Sequence, residues 1–149
     1  MNEDFIFLRG TDPGAQDFAN WIVDTYNEGK VWQEDHMSWN KPESICIFGI
    51  PGACGMIIDI IHHRKHEEPK AICHFIVVHK GLRGKGIAKE MISIAEKLAN
   101  HQGIEFFGAY VQGNEGEFWK ANGFPVEGNA NFTVTQTKRC MVTEWEVTQ

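Results

Sequence analysis

The 149-residue sequence predicts a mixed α/β fold. Three observations carry that prediction. Apolar, β-branched runs of strand length recur along the chain, and segments with helical spacing stand between them. One run, AICHFIVV at 71–78, passes through a basic, glycine-rich turn into an amphipathic helix before the next strand. A helical connection of that kind lets the two strands it joins lie parallel. The length is that of one ordinary domain, so residues 1–149 are taken as a single unit able to bury about two thirds of its unfolded surface.

Each element follows from local signals. FIFL at 5–8 is the first strand. Thr11-Asp12-Pro13 places a capping side chain ahead of a first-turn proline, which predicts a helix running to about Asn27. A shorter helix is expected near 31–39, rich in the large side chains Trp32, His36, Met37 and Trp39. SICIFGI at 44–50 and GMIIDII at 55–61 are strands around the turn PGAC. After the glycine turn, Ile87, Met91, Ile94, Ala95 and Leu98 recur at helical spacing, and Gly103 ends the pattern. EFFGAYV at 105–111 is a further strand, and Asn114-x-x-Glu117 opens a short helix that stops at Gly123. The tail alternates at 132–137 and 140–147 like a terminal hairpin.

Composition removes several classes of function. Hydrophobic residues at 42% and charged residues at 23% are ordinary for a globular chain. The start, MNEDFIFLRG, has acids where an export signal carries bases, and no apolar run is long enough to span a membrane. Cys46, Cys54, Cys73 and Cys140 sit in apolar segments without C-x-x-C spacing, as reduced thiols in a cytoplasmic protein would. The HHRKH stretch at 62–66 lies between two strands beside further charges and reads as a solvated tip, so no metal is expected. The net charge of −6 belongs to the first 43 residues, which hold nine acids against three bases, while the remainder balances. Direct nucleic-acid binding is disfavoured, because no extended basic surface is present. An acidic first third either forms solvated helices or faces a cationic partner.

VHKGLRGKGIAKEM, from Val78 to Met91, carries the chemistry. A strand, a glycine-rich turn and a helix together aim backbone N–H groups and the positive end of a helix dipole at an anion. A Walker A loop requires Lys-Ser/Thr after its last glycine, where Ile87-Ala88 stand here. A dinucleotide fingerprint requires a third small residue, where Lys89 stands. What remains is Arg83-Gly84-Lys85-Gly86-Ile87-Ala88, which resembles the Q/R-x-x-G-x-G/A signature of the GNAT superfamily of acyl-CoA-dependent N-acyltransferases. The apolar run ending at Val78 agrees with it, as do the helix after the turn and the strand a helix-length later. Phe118-Trp119-Lys120-Ala121-Asn122-Gly123-Phe124 is similar to the family's F-Y-x-K-x-G-F, with its lysine one place early.

The resemblance implies a mixed, mostly antiparallel central sheet flanked by helices, with splayed parallel fourth and fifth strands at 71–78 and 105–111. It implies acetyl-CoA as cofactor, its diphosphate held by Arg83, Gly84, Lys85, Gly86, Ile87 and Ala88 and its pantetheine arm lying in the splay. It implies transfer to a primary amine of a small molecule or protein, and it admits a homodimer. A backbone N–H of Ile76, Val77 or Val78 would polarise the thioester carbonyl. His74 and Asp59 are the candidate bases, each with a structural alternative as a bonded core histidine or a solvated strand residue. The family's thiol-protonating tyrosine is replaced by Trp119, which donates a hydrogen bond but is no acid. Tyr110 or water is then left for that role, with Trp119 on the pantetheine. The alternative is an acyl-CoA-binding module without turnover. Asn114 is a helix cap or a cofactor ligand. Trp32, Glu34, His36 and Trp39 form a core stripe or the wall of a cationic acceptor's site.

Overall fold

The computed structural model describes residues 4–26, 42–61, 70–104, 106–112, 116–124 and 132–139. The chain falls into two compact units, Met1–Asp59 with Phe75–Met91, and Ile60–His74 with Ile92–Gln149. The strands are β1 (Ile6–Arg9), β2 (Ile45–Ile50), β3 (Cys54–Ile61), β4 (Lys70–Val78), β5 (Phe106–Gln112) and β6 (Phe132–Arg139), and the helices α1 (Ala15–Tyr26), α2 (Ile87–His101) and α3 (Gly116–Ala121). Among the described residues the strands follow one another in chain order across a single sheet. Pairing is antiparallel at β1–β2, β2–β3 and β5–β6, and parallel at β4–β5. The expected mixed, mostly antiparallel architecture is the one found. The helix expected at 31–39 and the strand expected at 140–147 lie outside the described residues.

In the first unit the register aligns Leu8 with Ile47 and Ile47 with Ile57, which puts these three on one face of the sheet. That face meets α1, where Ala15, Phe18, Ala19, Ile22 and Val23 recur at helical spacing and are buried. Ile45, Ile47, Ile57 and Val77 complete the cluster, with Trp21, Tyr26 and Phe75 packed against it. The helix packs closely over β3 at Gly55, where a methyl group would stand 2.6 Å from Cδ1 of Ile22. On the opposite face Phe7 stacks on Phe48, with ring centres 5.5 Å apart.

The start of α1 differs from the expectation. The helix begins at Ala15, and its first full-turn bond runs from Phe18 N–H to Gly14 O at 3.0 Å. Asp12 does not cap it; its carboxylate accepts the N–H of Arg9 at 2.8 Å. That bond closes a turn between β1 and the helix, and Gly14, at a φ of 84°, makes the entry.

In the second unit, Phe107, Phe124 and Trp119 form an aromatic core, with centroid distances of 6.0 Å and 5.3 Å along the chain of contacts. Helices α2 and α3 end alike. Ile104 N–H returns to Ala99 O and Phe124 N–H to Trp119 O, across Gly103 and Gly123 in the left-handed region. The glycine stops read from the sequence are thus the actual stops.

Cys46, Cys54 and Cys73 are free thiols, and Cys140 lies outside the described residues. Burial pushes the Cys46 thiol from its ordinary 9.0 up to about 11, with Arg9 opposing and Asp12 adding to the rise. The neutral thiol is therefore the form the fold favours. Its contribution is complete below about pH 9 and is lost as the pH rises toward about 11. Urea unfolding followed between these values should show falling stability, and Cys46→Val should flatten the fall.

Candidate functional site

The glycine turn lies entirely in the first unit, where two backbone bonds within it, from Leu82 N–H to His79 O at 2.8 Å and from Arg83 N–H to Lys80 O at 3.5 Å, are joined by three further hydrogen bonds. His79 N–H donates to Ala53 O at 2.7 Å, tying the strand end to the turn before β3. His79 Nδ1 accepts the N–H of Gly81 at 3.2 Å and so caps a single 3-10 turn, Lys80–Leu82. Arg83 Nε donates to Val78 O at 2.9 Å, drawing the far side of the turn back onto the strand.

Beyond this clasp the backbone opens. Gly84 and Gly86 have φ values of 82° and 80°, and a methyl group on either would meet nothing within 4 Å. These conformations suit glycine alone, while the space around them is vacant, so conformation and not crowding requires the residue type here. Glu90 supplies the first N–H of the helix with a backbone acceptor, Gly86 O at 3.0 Å. Among the described residues no acceptor takes the N–H groups of Gly84, Lys85, Gly86, Ile87, Ala88 or Lys89. A run of free donors at the positive end of a fifteen-residue helix, with Arg83, Lys85 and Lys89 exposed beside it, is an arrangement that can hold an anion with several oxygens.

Along the strand leading into this turn the backbone N–H groups point alternately to its two sides. Since His79 N–H points toward β3 and N–H directions alternate along a strand, those of Val78 and Ile76 point away from β3, whereas that of Val77 points toward it. The parallel ladder of β4 with β5 pairs Lys70 with Phe106 and ends at Cys73 with Ala109, although β4 runs on to Val78 and β5 to Gln112.

A family model for the GNAT acetyltransferases matches residues 15–124, most of the chain. The chain belongs to the GNAT acetyltransferase family. Three solved structures show how well this GNAT chain shares the fold. A GNAT-family acetyltransferase from Listeria monocytogenes 4b F2365 is 17% identical with a TM-score of 0.63, covering 90% of this chain and 94% of its own. An aminoglycoside acetyltransferase from an uncultured soil metagenomic sample, in complex with sisomicin, is 14% identical with a TM-score of 0.63, covering 85% and 90%. Arabidopsis thaliana Naa50, in complex with the bisubstrate analogue CoA-Ac-MVNAL, is 12% identical with a TM-score of 0.61, covering 91% and 99%. At these identities the likeness is one of fold. Comparison with curated protein sequences finds no match.

The GNAT signature residues Arg83 and Gly86 stand in the turn and Ala88 in the first turn of α2, with Ile76 and Val78 on the strand entering the turn. The candidate bases fall on different faces. Asp59 is paired with Ile45 and shares the α1-facing side of β3 with Ile57; its carboxylate accepts the hydroxyl of Ser44 at 2.7 Å. Phe75 and Val77 point to the α1 side of β4, so His74 points away from it by alternation. Tyr110 is the first residue of β5 past the last pair with β4, opposite Val134 of β6. Trp119 is only 3% exposed, held edge-on against Phe118 and Phe124, so the position of the GNAT tyrosine is filled by a core side chain. Trp32, Glu34, His36, Trp39 and Asn114 lie outside the described residues. Two contributors were missed by sequence reasoning. The acceptor nitrogen of His79 had a visible signal, a capping-type side chain two residues before Gly81. Ser44 had none, since its bond to Asp59 depends on strand register.

Proposed function

We propose that the protein is an N-acetyltransferase, acting as one domain over residues 1–149, that moves an acetyl group from acetyl-CoA directly to a primary amine of a cationic small molecule or protein. The observation that carries this reading is the row of free N–H groups from Gly84 to Lys89. A diphosphate offers oxygens in the number and charge those donors need, and the left-handed glycines leave room for it to approach the backbone. The residues present therefore fit the diphosphate of acetyl-CoA, which when bound would supply the thioester to be cleaved.

Acyl transfer needs an electrophile polarised by fixed donors and a neutral amine. Of the N–H groups of Ile76, Val77 and Val78, any of which could polarise the thioester carbonyl, the direction of His79 N–H favours those of Ile76 and Val78, on the edge of β4 away from β3. Asp59 or His74 takes the amine's proton, and Tyr110 or water returns one to the leaving thiol. Trp32, Glu34, His36 and Trp39, in the acidic first third, form the acceptor's wall, where aromatic faces and carboxylates favour a cation. One neighbour of the same fold holds sisomicin and another a CoA–peptide conjugate, which supports an amine acceptor of either size. No helix among the described residues is long and apolar enough to cross a membrane, and three free thiols suit a reducing compartment such as the cytoplasm.

A second reading, an acyl-CoA-binding module without turnover, is favoured by Trp119, since an indole buried among phenylalanines cannot protonate a thiolate. Calorimetric titration with acetyl-CoA, paired with a thiol-release assay over a panel of amines, distinguishes the two. The transferase binds and releases thiol with at least one amine. Binding without release from any of them leaves the module, and absence of binding overturns both.

A further inference from the structure

We propose that His79 is a positioning residue for the coenzyme, its neutral Nδ1 setting the turn that presents the free N–H groups. This rests on the reading of that turn as the diphosphate site. The backbone leaves β4 at His79 with a φ of −54° and a ψ of 138°, and α2 begins at Ile87. Glycine-rich turns do not hold one shape by themselves, because each glycine retains wide conformational freedom. Here the shape is imposed by the two residues that flank the 3-10 turn. His79 grips backbone on two sides, its main-chain N–H on Ala53 O and its ring on Gly81 N–H, while Arg83 closes the loop on Val78 O.

The ring bond has a definite polarity. Gly81 N–H is a donor, so Nδ1 must carry a lone pair, and the proton of the neutral ring then resides on Nε2. Removing this acceptor frees Gly81 and leaves Lys80–Leu82 held only by the backbone bonds from Leu82 N–H to His79 O at 2.8 Å and from Arg83 N–H to Lys80 O at 3.5 Å, which loosens the turn. The donors from Gly84 onward then start from many conformations, and binding has to order them. His79 is exposed, and the clasp lies at the surface, so the effect falls on the ligand more than on the fold. Asparagine can replace the ring in this role, because its carbonyl oxygen reaches the N–H two residues on.

The test is calorimetric titration of the full chain with coenzyme A, together with thermal unfolding, for the parent protein, His79→Ala and His79→Asn. Alanine should weaken binding about tenfold, asparagine should restore it to within about threefold, and both variants should melt within a few degrees of the parent. Two-bond proton–nitrogen spectra of the parent should show the His79 ring unprotonated at Nδ1 and protonated at Nε2. Equal affinity of parent and alanine variant, an asparagine variant as weak as alanine, or a proton on Nδ1 would each overturn the positioning role and leave the coenzyme site standing. A parent protein that does not bind coenzyme A would overturn both.

Discussion

Gly86→Glu should abolish coenzyme A binding and leave the domain folded. At position 86 the φ of 80° costs an L-residue about 1–2 kcal/mol, yet no atom lies within 4 Å of where the new side chain begins. Nothing in the protein is displaced, and the fold should survive a loss of that size. The ligand fares differently, because a carboxylate would stand among the donors from Gly84 to Lys89 and meet the diphosphate with like charge. Affinity should fall by at least about a hundredfold, or roughly 3 kcal/mol. Gly14→Glu is the matched control, with a φ of 84° and the same open surroundings at the start of α1. It should lose similar stability and keep its affinity. Titration and melting of both chains check the pair, and a Gly86→Glu protein that still binds coenzyme A as the parent does would remove the diphosphate from this turn.

The largest loss of stability should come from Gly49→Ala. Gly49 has a φ of 144°, and a methyl there would run into the carbonyl oxygen of Cys54 and stand 2.6 Å from Cα of Gly55. Both are backbone atoms in the β2–β3 ladder, where Gly49 pairs with Gly55, so no side chain can swing aside to relieve the contact. Strain and clash together should cost about 3 kcal/mol, and for a chain of this length should lower the melting temperature by about 10 °C. Gly52→Ala separates the two causes. Its φ of 85° also strains an alanine, but its surroundings are open, and it should cost only about 1 kcal/mol. Thermal unfolding of the two variants side by side measures the difference, and equal melting points would mean that the ladder yields at Gly49.

The parts of the site that were legible in the sequence are those where the chemistry demands a residue type. A close-approaching anion requires glycine at 84 and 86, and the order of strands and helices follows from hydrophobic spacing. What stayed hidden depends on geometry that spacing does not fix. Arg83 reads as charge for a phosphate, but its Nε is turned back to the strand that precedes it. Asp59 and His74 read as equivalent bases, and only the register separates their faces. Trp119 reads as a side chain laid on the pantetheine arm, and in the fold it is buried where Phe107, Phe118 and Phe124 converge. Asp12 looked like a helix cap, and its carboxylate closes a neighbouring turn instead. In each case one side chain had two physically sound uses, and long-range packing selected between them.

The contact between Ile22 and Gly55 acts as a rivet. Because the Ile22 side chain fills the space in which a side chain at 55 would begin, bulk added at 55 has to be met by a shift at 22, and the two positions should couple in a double-mutant cycle.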